Sequence, residues 1–163
     1  MNKVIIDIET TGLSPKNATI TEIGAILTNE KFEIIDTFET FVRTDYIPPF
    51  ITNLTGITAS MTQSGLPLKE AMMELSLFAK DAEVYAHNAK FDKSFIRHYL
   101  EETDTNYLPS NWVDTIVIFK RRWPHLPNYK LETLIKHFDL ADKEDHRALS
   151  DAKHTWTLLK AGL

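Results

Sequence analysis

Apolar residues crowd the start of the chain, where Val4, Ile5, Ile6 and Ile8 are interrupted only by Asp7 and then Glu9. A short Ile-rich run of this kind predicts a strand over Lys3 to Glu9. Thr10 to Ala18, with Gly12 and Pro15, predicts a loop. Thr19 to Asn29 and Lys31 to Thr44 are β-rich around a polar break at Asn29-Glu30, which predicts a hairpin. Pro48 to Gly65 mixes Pro, Thr, Asn and Gly with short apolar stretches and predicts short helical turns. From Pro67 the pattern changes: Leu68, Met72, Leu75 and Phe78-Ala79 recur at helical spacing to about Lys80, and proline suits a first helical turn.

The second half alternates short strands with helices. Glu83 to His87 predicts a strand, and Asn88 is placed to N-cap a helix reaching about Glu102. Trp112 to Asp114 predicts a last strand, and Thr115 to Trp123 a helix stopped by Pro124. Asn128 is placed to cap a helix over Tyr129 to Phe138. Asp139 to Asp145 is a polar approach to His146, and Ala148 to Leu163 predicts a closing helix. Hairpin-linked strands first and crossover helices later give a mixed α/β class. No repeat, low-complexity tract or linker divides the 163 residues, so one domain over residues 1–163 is expected, large enough for a real core.

Composition narrows the function. Hydrophobic content of 43% and charged content of 25% are ordinary for a globular protein. No apolar run approaches the roughly 20 residues of a membrane span. No signal peptide is expected from the opening Met1-Asn2-Lys3, and a cytoplasmic location is the default. The absence of cysteine excludes disulfides, thiol catalysis and zinc–thiolate sites. A net charge of −5 argues against a broad, non-specific nucleic-acid binder, though not against an enzyme that grips one strand end. Basic residues bunch at Lys120-Arg121-Arg122 and at Lys130, Lys136, Lys143 and Arg147, where a solvated helix face is the plain reading.

Acidic and imidazole residues stand in three clusters: V-I-I-D-I-E-T-T-G-L from Val4 to Leu13, H-N-A-K-F-D from His87 to Asp92, and H-R-A-L-S-D-A from His146 to Ala152. Residues two apart on a strand share a face, so Asp7 and Glu9 project together while Val4, Ile6 and Ile8 project oppositely. Two like charges on a buried strand are costly unless a cation offsets them; at an exposed strand end they would only mark a turn. Asp92 falls in a first helical turn, where dipole compensation alone would explain it. Phe95, Ile96 and Tyr99 follow at helical spacing and turn it inward. Asp151 shares its helix with Ala148 and Ala152, small enough for close approach to the sheet. His146, five residues earlier, can swing toward whatever Asp151 holds. His87 and His125 read as surface histidines, and Trp112, Trp123 and Trp156 as packing residues. Carboxylate ligands favour Mg²⁺ or Mn²⁺ over zinc. Two such ions suit an in-line displacement at phosphorus, and a histidine suits proton removal from water near neutral pH.

The three clusters, in this order, resemble the DEDDh exonucleases, the DnaQ-like 3′→5′ exonuclease family that includes the DNA polymerase III epsilon-subunit exonuclease domain. Asp7 to Leu13 matches its D-x-E-T-T-G-L motif. Thr21 to Ala25 resembles its E-I-G stretch, Thr55 to Thr58 its T-G-I-T segment, and Trp112 to Thr115 its D-T strand. His87 to Asp92 matches the second motif, Leu131 and Leu134 the L-x-x-L that follows, and the His146–Asp151 spacing the subclass with a histidine. The resemblance covers almost the whole chain. It implies an RNase H-like fold, a five-stranded mixed sheet flanked by helices. It implies metal binding at Asp7, Glu9, Asp92 and Asp151, two Mg²⁺ or Mn²⁺ ions per site, and a general base at His146. It also implies substrate binding at Thr10, Thr11 and Leu13, beside the terminal nucleotide, and at Asn88, which contacts or shapes the strand path. The product would be a 5′-mononucleotide, cut from a single-stranded nucleic acid with a free 3′ end.

DNA is the first substrate reading, with an exoribonuclease of the same chemistry as the alternative and a non-catalytic module binding strand ends as a third. A glycosidase pairing Asp7 with Glu9, about 7 Å apart at Cα, would leave both distant clusters and His146 unexplained. Gln63 to Leu68 resembles a sliding-clamp-binding peptide, though Pro67 as a helix opener also accounts for it. A polymerase or clamp partner would therefore act in trans, and no membrane partner is expected.

Overall fold

The computed structural model describes residues 1–105 and 111–162. The strands are β1 (Lys3–Thr10), β2 (Ile20–Thr28), β3 (Ile34–Phe41), β4 (Glu83–Ala86) and β5 (Trp112–Asp114). The helices are α1 (Pro49–Thr55), α2 (Ala59–Thr62), α3 (Leu68–Phe78), α4 (Ala89–Glu102), α5 (Thr115–Arg122), α6 (Leu131–His137) and α7 (Ala148–Ala161). The sheet order is β3-β2-β1-β4-β5. β1 pairs antiparallel with β2 and parallel with β4, β2 pairs antiparallel with β3, and β4 parallel with β5. The mixed sheet follows from connection length: the short Asn29–Glu33 turn returns the chain antiparallel, while helical crossovers bring β4 and β5 in parallel. The expected closing helix ends within the described residues at Ala161, and Leu163 lies outside them.

β1 is central and buried on both faces. Val4, Ile6 and Ile8 point into one core with Met72 and Leu75 of α3 and Phe95 and Ile96 of α4. Ile5 points into the other, with Phe119, Leu134, Ile135, Leu158 and Leu159 of α5, α6 and α7. A small third cluster, Ile47, Ile51 and Ile57, seats α1. Trp156 ties α7 to the hairpin, its indole N–H donating to the Phe32 carbonyl at 2.7 Å.

Two expected caps are corrected. Asn88 does precede α4, but in the left-handed region (φ 61°) and with no side-chain cap. Its main-chain N–H instead donates to Asp114 Oδ1 at 3.2 Å. Asn128 does not cap a helix at Tyr129; α6 begins at Leu131. Asn128 Oδ1 accepts from the Lys130 N–H at 3.1 Å and the Thr133 hydroxyl at 2.6 Å, fixing the turn ahead of the helix.

Candidate active site

Strand alternation sends Asp7 and Glu9 out of β1 on the same face as Ile5, at the end where β1 outruns β4. The β1–β4 pairing stops at Ile5↔Tyr85, so the Ile8 N–H has no strand partner on that side. The Asp92 carboxylate takes that N–H, with Oδ2 at 3.2 Å, from the first turn of α4. Asp92 is only 4% exposed. Asp114 ends β5, caps α5 by accepting from the Ile116 N–H at 2.9 Å, and holds the Asn88 main chain. It thereby joins the starts of α4 and α5.

The third cluster reaches the same place because nothing stands between β2 and α7. A Cβ on Gly24 would collide with the backbone of Leu149 and Ala148. This contact brings Asp151, 2% exposed, over β1. Glu22, on the same strand, accepts from both Arg147 nitrogens and, at 2.8 Å, from the Ala148 N–H. His146 precedes α7 in the left-handed region (φ 53°), with Nδ1 3.5 Å from Glu144 Oε1. Ligand atoms of Asp7, Glu9 and Asp151 lie within 4.8 Å of one another, as do those of Glu144, His146 and Asp151.

So many carboxylates in one small volume resist ionising. Burial pushes Glu9 up to about 9, with Glu22, Glu144 and Asp92 adding repulsion and Arg147 opposing it. Burial also pushes Asp151 up to about 9, helped by Glu144 and Glu9. Asp7 is raised well above the usual range by burial, Asp92 and Glu9. Asp92 is raised by burial, against the pull of the Ile8 N–H. Asp7 Oδ2 and Asp151 Oδ1 are sealed from solvent with no hydrogen-bond partner among the described residues. Buried oxygens are rarely left so. Oxygen-only donors of this kind suit a hard divalent cation, which would supply the missing partner and lower the repulsion.

The other expected contact residues divide. Thr10 donates its hydroxyl to the Gly12 carbonyl at 2.6 Å, and Thr11 Oγ1 accepts from the Thr19 N–H at 2.9 Å. Both hydroxyls shape the loop after β1, whereas Leu13 stands 88% exposed on it. Asn88 lines a cavity of about 540 Å³ together with Asp7 and His146.

Several residues that sequence reasoning passed over prove important. Glu144 lay in what reads as a polar approach loop, and only its position two residues before His146 hinted at the site. His87 is no loose surface histidine: Nε2 bonds the Tyr129 carbonyl at 2.6 Å and Nδ1 the Thr115 hydroxyl at 2.8 Å. Burial holds its pKa below the ordinary value, so the ring is neutral, donating through Nε2 and accepting at Nδ1. The basic residues are not one solvated face. Arg122 donates to the carbonyls of Leu158 and Leu159, Arg147 grips Glu22, and Lys120 and Lys130 line the cavity.

A five-stranded mixed sheet with carboxylates gathered at the end of its central strand defines the RNase H-like class. Residues 4–159 match the RNase T model of exonucleases, and the chain belongs to that exonuclease family. It is 42% identical over 153 residues to the PolC-type DNA polymerase III of Caldanaerobacter subterraneus subsp. tengcongensis, covering 93% of this chain and 11% of the relative. It is 33% identical over 156 residues to the 3′-5′ exonuclease DinG of Staphylococcus aureus, covering 95% and 17%. The chain thus spans only a small part of the relatives it matches. Among solved structures, E. coli exonuclease I in complex with a dT13 oligonucleotide superposes with a TM-score of 0.86 at 20% identity, over 98% of this chain and 40% of that one. Exonuclease X in complex with 5′ overhanging duplex DNA gives 0.73 at 26% identity, over 98% and 89%. No helix among the described residues is long and apolar enough to cross a membrane.

Proposed function

We propose that residues 1–163 act as a single domain that removes nucleotides from the 3′ end of a DNA strand, releasing 5′-mononucleotides. One observation carries the reading. Asp7, Glu9, Asp92, Asp151 and His146 come from three separate segments to one end of β1, with a carboxylate oxygen of Asp7 and of Asp151 left unpartnered among the described residues. In this reading Asp7, Glu9, Asp92 and Asp151 hold two Mg²⁺ or Mn²⁺ ions. When bound, such ions supply positive charge to the phosphate and ease deprotonation of water. His146 accepts the proton from water as the new bond to phosphorus forms. The bond from phosphorus to the 3′-oxygen of the preceding nucleotide breaks, and that oxygen leaves to take a proton from solvent.

Leu13 offers its exposed side chain to the terminal base, on a loop whose shape Thr10 and Thr11 hold; Asn88 borders the phosphate. DNA is favoured over RNA because the relatives are named for DNA polymerase and the structural neighbours hold DNA. A single strand is favoured by the oligonucleotide in exonuclease I. A DNA polymerase in the cytoplasm is the fitting partner, since relatives are named PolC-type DNA polymerase III. The sliding clamp fits less well, because Gly65 and Leu66 are bonded to the Thr62 and Phe41 carbonyls and a docking peptide needs to be free. Product analysis on matched DNA, RNA and mismatched-duplex substrates in Mg²⁺ and Mn²⁺ tests the reading. Mononucleotides from the 3′ end of DNA are expected. No shortening with either ion would leave only a module that binds strand ends.

A further inference from the structure

The cavity beside the acid cluster carries two lysines to which the proposed chemistry gives no task. Asp7 and His146 line it together with Lys120, Tyr129 and Lys130. Neighbouring cations are committed elsewhere: Arg122 to the end of α7, Arg147 to Glu22, and Lys136 to Glu132 at 3.0 Å. The wall that bears Lys130 is built rather than loose. His87 bonds the Tyr129 carbonyl, Tyr129 donates its hydroxyl to the Trp123 carbonyl at 2.6 Å, and Asn128 holds the Lys130 N–H. Lys120 arrives from α5, its Nζ 5.7 Å from the centre of the Tyr129 ring. Two cationic stems from different elements therefore meet at one fixed turn.

Charge gives that arrangement a purpose. The chain carries −5 overall, so an approaching polyanion meets net repulsion. Cations on the cavity wall offset it and draw a phosphate toward the reaction centre. His146, the proposed proton acceptor, lines this cavity together with both lysines. We propose that Lys120 and Lys130 form a subsite for a nucleotide phosphate. This deepens the proposed exonuclease reading and rests on it. The phosphate has two sources, the backbone of the bound strand and the 5′-phosphate of the released nucleotide.

Equilibrium binding separates the two sources. The ligands are a fluorescein-labelled oligo-dT with phosphorothioate linkages, which suppress turnover, and thymidine 5′-monophosphate with thymidine as its control. The variant is Lys120→Gln with Lys130→Gln; both side chains are exposed, so thermal melting should match wild type. If the strand is the source, the oligonucleotide Kd rises about tenfold and the slope of log Kd against log salt falls by about 1.4, roughly 0.7 for each single-strand contact. If the released nucleotide is the source, the monophosphate Kd rises about tenfold while thymidine and the oligonucleotide are unaffected. Unchanged affinity for both ligands, with an unchanged salt slope, overturns the subsite. A wild-type protein that binds but never cleaves overturns the exonuclease reading and leaves the subsite standing.

Discussion

Arg147 holds Glu22 with two nitrogens, Nε at 3.1 Å and Nη2 at 2.7 Å, across 125 residues of sequence. The pair locks β2 to the start of α7, one residue beyond His146. Glu22 is buried and Arg147 keeps part of its surface in water, so the pair lies between a surface and a buried ion pair. Arg147→Ala leaves the Glu22 carboxylate, among the described residues, with the Ala148 N–H alone. A loss of about 2 kcal/mol in denaturant unfolding is expected. Arg147→Lys should recover little of it, because an ammonium cannot repeat the two-nitrogen grip.

Gly24 should tolerate no side chain. Any Cβ there meets the α7 backbone rather than a flexible tip, so the helix must move and carry Asp151 with it. Gly24→Ala is expected to cost more than the about 1–3 kcal/mol typical of overpacking and to depress activity in the molecules that still fold. Melting and turnover on one preparation check this. Wild-type values for both would mean that α7 does not sit against β2 as described.

Asp7→Asn or Asp151→Asn should lower turnover by about a thousandfold or more while leaving the fold intact. The same substitutions should raise the melting temperature of metal-free protein at pH 8, since each removes a carboxylate from a repulsive cluster. Activity near wild type in either variant would remove that residue from the site.

Stability should fall as pH rises. Glu9 and Asp151 are each pushed up to about 9 in the folded protein, above their unfolded values near 4. Between those limits the native state binds more protons than the unfolded chain, so the unfolding free energy has a negative slope against pH. The stabilisation is whole below about pH 4 for these groups and is lost through about pH 9. Melting curves in chelator from pH 5 to 9 should show it, and Mg²⁺ should flatten the decline by replacing the protons. A melting temperature that climbs with pH in chelator would contradict the assignment.

His146→Ala should cut turnover by about 10²–10⁴-fold, the usual span for a lost general base, with metal affinity by calorimetry unchanged. Equal loss of affinity would make His146 a ligand beside Glu144 and Asp151, whose ligand atoms also lie within 4.8 Å of it.

Local patterning determined much of this protein. Strand period put Asp7 and Glu9 on one face and Val4, Ile6 and Ile8 on the other, because Cβ direction alternates whatever the strand packs against. Helical spacing turned Asp92 inward through Phe95, Ile96 and Tyr99. The small residues Ala148 and Ala152 announced a close helix. These are short-range rules, and a sequence states them directly.

Tertiary structure alone decided the rest, because the remaining partners lie far apart in the chain. That Asp92 would accept the Ile8 N–H depends on where β4 stops pairing with β1. The Glu22–Arg147 grip, the neutral His87 clamped to Tyr129 and Thr115, and the entry of Glu144 into the site all depend on which surfaces meet after folding. Isolated polar residues in loops carry no period to betray them. Their burial and charge state are properties of the assembled end of the central strand, where desolvation and neighbouring carboxylates act together.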